Sequence, residues 1–173
     1  MKYISTPFSN NEIEDLRIGD VVSISGFIFC GRDAVLPLIV KEIEMGKWPS
    51  RHIDLEGSVV FHTAVSPAGV GPTSSNKLEI ESSFAPLSKA GVKMHLGKGE
   101  ISDATVEALR EHNAVFAIIP PVTSLLESRT FEREIVAFPE LGMEAFYRIR
   151  IDNYQAIIAA ANGESIYGKH NGK

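Results

Sequence analysis

Three stretches of this sequence share one design: an apolar segment stops, a glycine frees the backbone, and a cation or hydroxyl follows. They are Gly31-Arg32-Asp33, Gly71-Pro72-Thr73-Ser74-Ser75-Asn76-Lys77 and Gly97-Lys98-Gly99. Arg32 can grip a carboxylate through two parallel hydrogen bonds, whereas Lys77 and Lys98 act as point charges. Thr73 and Ser75 add short hydroxyls, and helix starts after Gly31 and Gly71 would offer free N–H groups to an anion. The chain carries a net charge of −5, yet these positions are basic. That combination suits a small dianion such as a dicarboxylate. Taken singly, each stretch has a plainer explanation: a turn with Asp33 as N-cap, a surface Gly-Lys-Gly turn, and a Ser/Thr capping cluster. Their conjunction is what points to chemistry.

Ligands of open α/β sheets bind beyond the carboxyl ends of parallel strands, so the segments preceding these loops must be neighbouring strands. Val21–Phe29 reads as a strand broken at Gly26, and Ser58–Val65 alternates with Val59, Phe61, Thr63 and Val65 on one face. Val92–Leu96 is a short strand, and the apolar run Ala114–Ile119 is a strand covered on both faces. Helices are expected over Ala34–Met45, with Pro37 in the first turn and Gly46 and Pro49 ending it. Two more are expected over Thr73–Ala90, shortened by Pro86 and closed by Gly91, and over Ala104–His112 behind Ser102. Residues 67–72 read as a loop, residues 1–20 as a polar approach, and Val122–Glu127 as a short helix. Strands are expected at Glu134–Phe138, Glu144–Ile151 and Gln155–Ala160, then at Ser165–Tyr167 after the Asn162-Gly163 turn. Alternating strands and helices flanked by strand-rich ends predict an α/β fold, a central parallel sheet with an added antiparallel layer, in one domain over residues 1–173.

Composition narrows the chemistry. An acidic chain is a poor match for a broad nucleic-acid surface, and no apolar run approaches the roughly 20 residues of a membrane span. The first residues lack the layout of a signal peptide, so a cytoplasmic setting is expected. The lone cysteine, Cys30, cannot form an internal disulfide or hold an iron–sulfur cluster, which needs several ligands. Cys30 reads as a small buried apolar residue. Of five histidines none has the paired spacing of a metal site; His62 and His95 are expected to be structural, with His95 three residues before Lys98.

The ordered series Leu16-Arg17-Ile18-Gly19-Asp20, Gly31-Arg32-Asp33-Ala34, Gly71–Ser75, Gly97-Lys98-Gly99 and Leu141-Gly142-Met143-Glu144-Ala145 resembles the C-terminal domain, or β subunit, of class I fumarases and L(+)-tartrate dehydratases. The resemblance runs from about Leu16 to Tyr167 with spacings intact. It implies a swivelling β/β/α domain and reversible hydration of a small 2-hydroxy dicarboxylate of the fumarate/malate or tartrate type. It also implies a [4Fe–4S] cluster bound by a partner α subunit, whose open iron serves as Lewis acid, in a hetero-oligomer of one αβ pair or a dimer of such pairs. By resemblance, Arg32, Ser75, Lys77 and Lys98 bind substrate carboxylates and Thr73 is the proton-transferring hydroxyl. Two departures stand out. Leu36 occupies the family's histidine position, and Lys77 stands where the family has arginine, with Ser74 for its second threonine; lysine keeps the charge but not the fork. A non-catalytic dicarboxylate-binding or assembly module with the same fold is the alternative. A metal-free isomerase or lyase ranks below both, since no paired acid and base is evident.

Overall fold

A computed structural model describes residues 1–48, 53–66, 69–73, 77–119, 126 and 128–168, with side chains outside 66–80. Alternation along four strands sets the architecture, because successive side chains of a strand point to opposite faces. In β2 (Val21–Cys30), Ile28 and Cys30 join one buried cluster and Phe29 another. Along β3 (Ser58–Phe61) the same division separates Val59 and Phe61 from Val60. In β7 (Val115–Ile118) it separates Val115 and Ala117 from Phe116. Between these strands lies β6 (Val92–Gly97), whose Met94 and Leu96 belong with Val59 and Phe61.

β2, β3, β6 and β7 are parallel neighbours in that order. β9 (Phe146–Ala161) then pairs antiparallel with both β7 and β2, so the sheet closes into a five-stranded barrel. One set of alternating residues fills its interior, where Phe61 meets the ring of Tyr154 edge to face. The other set lies beneath the crossover helices. α2 (Leu36–Glu44) and α3 (Lys77–Lys89) bury Leu36, Ile39 and Leu87 with Phe29, Val60 and Val92. α3 and α4 (Asp103–Glu111) bury Phe84, Val106 and Leu109 with Phe116 and Ala160. Glu81 of α3 accepts from the N–H and hydroxyl of Ser102, the α4 N-cap, at 3.0 and 2.8 Å, which ties the two helices together beside the Gly97–Gly99 loop.

Several expectations change. Residues 1–20 hold an edge strand, β1 (Lys2–Ser5), parallel to β2, and a one-turn helix, α1 (Asn10–Glu14), closed by a Ser9–Glu12 capping box. α2 starts at Leu36 with Val35 as N-cap, so Asp33 does not cap it; the Arg32 carbonyl instead accepts from the Val35 and Leu36 N–H groups. The 58–65 strand splits at His62, because β4 (Thr63–Ser66) leaves the barrel to pair with β5 (Gly69–Thr73). Residues 69–72, expected in a loop, are thus strand, and so is Thr73, expected to open a helix. Between the Thr63–Thr73 and Val65–Val70 pairs, β4 has Ala64 while β5 has Gly71 and Pro72. That bulge accommodates a proline no regular ladder position would take. α3 begins at Lys77 and runs through Pro86, which lies close enough to the C-terminal end for the burial of Phe84 and Leu87 to prevail.

Past β7 the antiparallel strands join the parallel ones edge to edge in the same sheet. β8 (Thr130–Ala137) lies along the first half of β9 and β10 (Glu164–Ser165) along its end. β9 is continuous where two strands were expected; its pairing with β8 ends at Ile151, its pairing with β7 begins at Ile157, and Asn153 between them has φ 55°. The helix expected at Val122–Glu127 lies outside the described residues except Leu126.

Gly26 makes the equivalent adjustment in β2, where pairing with β9 shifts register and φ reaches 111°. A Cβ there would sit 2.4 Å from Thr6 Oγ1, whose hydroxyl is pinned by donation to the Phe27 carbonyl at 2.7 Å. Gly26→Ala is expected to lower the unfolding free energy by about 1–3 kcal/mol, measured as a reduced urea midpoint. An unchanged midpoint would show that this corner of the barrel yields freely.

Candidate functional site

The three glycine-bearing stretches leave the same end of the barrel. Cys30 pairs with Phe61 and Phe61 with Leu96, so Gly31, His62 and Gly97 are the next residues of three adjacent strands. The ladder continues past the strand ends: Gly31 N–H donates to the Phe61 carbonyl at 3.1 Å and His62 N–H to the Leu96 carbonyl at 3.0 Å. Arg32 and Lys98 are thereby one residue beyond matched positions. Thr73 pairs across the ribbon with Thr63, which places the Thr73 backbone at the root of the hairpin rising from that same end. Lys77 opens α3 and its side chain, like that of Thr73, is outside those described; Ser75 lies wholly outside the described residues.

Gly31 is required by close packing: a Cβ there would come within 2.7 Å of Val35 Cγ1 and 3.2 Å of both Leu36 Cδ2 and Phe146 Cδ1. Leu36 is itself fully buried in the apolar cluster beneath α2. Arg32 is partly buried and held by a partner that the sequence did not reveal, the carboxylate of Glu144. That ion pair, followed by the loss of water around the guanidinium, shifts the Arg32 pKa upward overall, because the favourable contact outweighs desolvation. Lys98 is exposed, and no ion pair to a described residue holds it.

Beneath these loops lies a second feature, formed by the two histidines expected to be structural. His95 on β6 and His62, in the break between β3 and β4, are both fully buried. His62 Nε2 lies 3.2 Å from His95 Nδ1, and His95 Nε2 lies 2.9 Å from Ser88 Oγ on α3. Phe84 stacks on His95 with centroids 4.3 Å apart. The contact between the rings has room for one proton, so the tautomer of one imidazole dictates that of the other. Burial pushes the His62 pKa down to about 3, and burial followed by the neighbouring His62 holds His95 well below its ordinary value. Both rings are neutral. They link the hairpin root to β6, the strand that ends at Gly97, while His62 Nδ1 is buried with no hydrogen-bond partner among the described residues.

The family model described as the fumarase C-terminus matches residues 3–170. The chain belongs to the fumarase C-terminus family. Relatives in it include the L(+)-tartrate dehydratase subunit beta of Escherichia coli K12, 28% identical over 92% of this chain and 82% of that protein. A putative L(+)-tartrate dehydratase subunit beta of Methanocaldococcus jannaschii is 25% identical over the whole of this chain and 94% of its own length. A putative class I fumarate hydratase of Geobacillus stearothermophilus is 25% identical over 95% of this chain, which spans only 33% of that longer protein. This member of the fumarase C-terminus family therefore corresponds to a β subunit or C-terminal domain.

Among the described residues of this fumarase C-terminus chain the donor set does not fit an iron–sulfur cluster. Cys30 is fully buried in the barrel, where desolvation pushes its thiol strongly toward the protonated form. Among the described residues no three His, Cys, Asp or Glu side chains are grouped to hold a metal ion. Among those residues, too, no helix is long and apolar enough to cross a membrane.

Proposed function

We propose that this chain, a single domain over residues 1–173, is the cluster-free half of a hydro-lyase active site, acting on a small 2-hydroxy dicarboxylate of the malate or tartrate type beside an α subunit. The observation that carries this reading is the matched register of three strand ends, which supports a common location for Arg32, Lys98 and the backbone of Thr73. In this reading Arg32, Lys77 and Lys98 neutralise the two substrate carboxylates, Ser75 hydrogen-bonds them, and Thr73 relays a proton at the reacting carbon. A threonine hydroxyl is a weak acid, so it needs neighbouring cations to favour its ionised form and a base to take its proton. The cations come from this chain and the base from the α subunit. The [4Fe–4S] cluster also belongs to the α subunit, and no residue here is assigned to it. A swivelling arrangement against that subunit, in the cytoplasm, completes the picture.

The test is reconstitution. The purified chain alone is expected to show no turnover of fumarate, malate or tartrate, and mixing with an anaerobically reconstituted α subunit is expected to produce it. Turnover by the isolated chain would overturn the half-site reading. Leu36, packed in an apolar cluster where the family pattern has histidine, favours the second reading of a retired binding module. Calorimetric binding of malate or tartrate without turnover in the full assembly would establish that reading instead.

A further inference from the structure

Arg32 does not stand alone in this site, and the way it is held fixes which part of it a ligand can use. Nε of Arg32 lies 3.2 Å from Glu144 Oε1, and Nη2 is bonded to Glu144 Oε2. Those two nitrogens form one edge of the planar guanidinium, so the carboxylate covers that edge completely. The outer edge, Nη1 with the second hydrogen of Nη2, is the remaining place for a second carboxylate.

The clamp is built on a rigid base. Glu144 is the last residue of a short 3-10 segment, Pro139–Glu144, entered through Phe138 at φ 55° and bent at Gly142 at φ 59°. Two residues later Phe146, fully buried, stacks on Phe29 with centroids 5.2 Å apart and meets Trp48 edge to face. Phe29 in turn lies three residues before Arg32, and Cys30 pairs with Tyr147 in the β2–β9 ladder. Arg32 and Glu144 thus extend two paired strands whose last buried rings are locked together. The 3-10 segment also packs against β4, at the hairpin whose other strand ends in Thr73.

Resting on the half-site reading above, we infer that Glu144 is the positioning residue for Arg32: it occupies the inner edge of the guanidinium and presents the outer edge to a substrate carboxylate. An arginine without this partner would rotate about its side chain and meet the ligand in many orientations. Glu144 itself touches no substrate.

The experiment uses the reconstituted αβ assembly with Glu144→Gln, Glu144→Asp, Arg32→Lys and the Arg32→Lys/Glu144→Gln double variant. Glu144→Gln is expected to raise KM for the dicarboxylate by about 10- to 100-fold while kcat changes by less than about 3-fold. Glu144→Asp keeps the charge and is expected to recover part of the loss. Lysine has no second edge to orient, so Glu144→Gln in the Arg32→Lys background is expected to add less than about 3-fold. Circular dichroism verifies folding, and Glu144→Asp carries the test if the glutamine variant misfolds. A Glu144→Gln KM within about twofold of wild type, a loss confined to kcat, or an undiminished effect in the Arg32→Lys background would overturn the inference. A wild-type assembly that binds dicarboxylate without turnover moves the same comparison to Kd. One that neither binds nor turns over any dicarboxylate ends the half-site reading and this inference with it.

Discussion

Thr73→Ala in the reconstituted assembly is expected to lower kcat by about 10²- to 10⁴-fold, the range lost when a positioned proton-transfer group is removed. KM should change little, because the methyl and hydroxyl of threonine contribute little to holding a doubly charged ligand. Lys98→Ala is expected to behave differently. On the proposed reading its ammonium, one residue past a strand end matched to that of Arg32, supplies charge to the substrate in both ground and transition states. Its loss should therefore raise KM by about 10-fold or more alongside any fall in kcat. Steady-state kinetics with malate and tartrate, together with an unchanged circular dichroism spectrum, distinguish the two patterns. Near-native turnover in both variants would remove this end of the barrel from the chemistry. The measurement tests the proposed convergence on Thr73 in particular, whose backbone pairs with Thr63 at the hairpin root.

Acid is expected to unfold the protein through its buried histidine pair. His62, with a pKa of about 3 in the fold, and His95, held well below 6.5, bind no proton at mildly acidic pH. The unfolded chain takes up a proton on each near the ordinary value of about 6.5. Below that value the unfolded state binds more protons, so stability falls with pH. It is at its full value above about pH 6.5 and drains away as pH descends toward the folded-state values. Between about pH 7.5 and pH 5 the His62 imidazole contributes a loss of about 2 kcal/mol, and His95 adds to it in the same direction. Urea titrations at the two pH values measure it directly. In His62→Gln the loss should shrink by about 2 kcal/mol, because one titrating ring is gone. Equal urea midpoints for the wild type at both pH values would mean that the imidazoles take up protons inside the fold. The effect bears on the site as well, since the pair joins the hairpin root to β6.

The elements legible in the residues are those with a strong period and clear ends. α4 follows from Ser102 and Asp103 and an apolar stripe at Val106 and Leu109, and β7 from an unbroken apolar run. β1 is hidden because an edge strand buries only one of its four residues, Ile4. α1 carries a recognisable capping box but only five residues, too few for periodicity to show. Strand β5 resembles a loop because Gly71 and Pro72 are normally breakers, and only the bulge opposite Ala64 makes room for them. Closure of the barrel cannot be read at all, since it depends on β2 meeting β9 across most of the chain.

The site divides along the same line. Arg32, Thr73 and Lys98 announce themselves by type and by the glycines beside them. Glu144 and the His62–His95–Ser88 chain do not, because their importance lies in contacts between residues far apart in sequence. Glu144 does leave a trace, as a carboxylate within the Leu141–Ala145 stretch. His95 stands out only for its nearness to Lys98, whereas the structure gives it a ring and a hydroxyl as partners.

β9 pairs with β2 along residues 147–157 and with β7 along residues 157–160, so one late segment seals the cylinder. On the ribosome, β2 emerges with one flank bare and must wait until β9 has been translated. Contacts of such long sequence separation make folding slow, and the exposed strand edges meanwhile invite association with other chains. A nascent chain halted before Phe146 would be a client for chaperones rather than a smaller version of the protein.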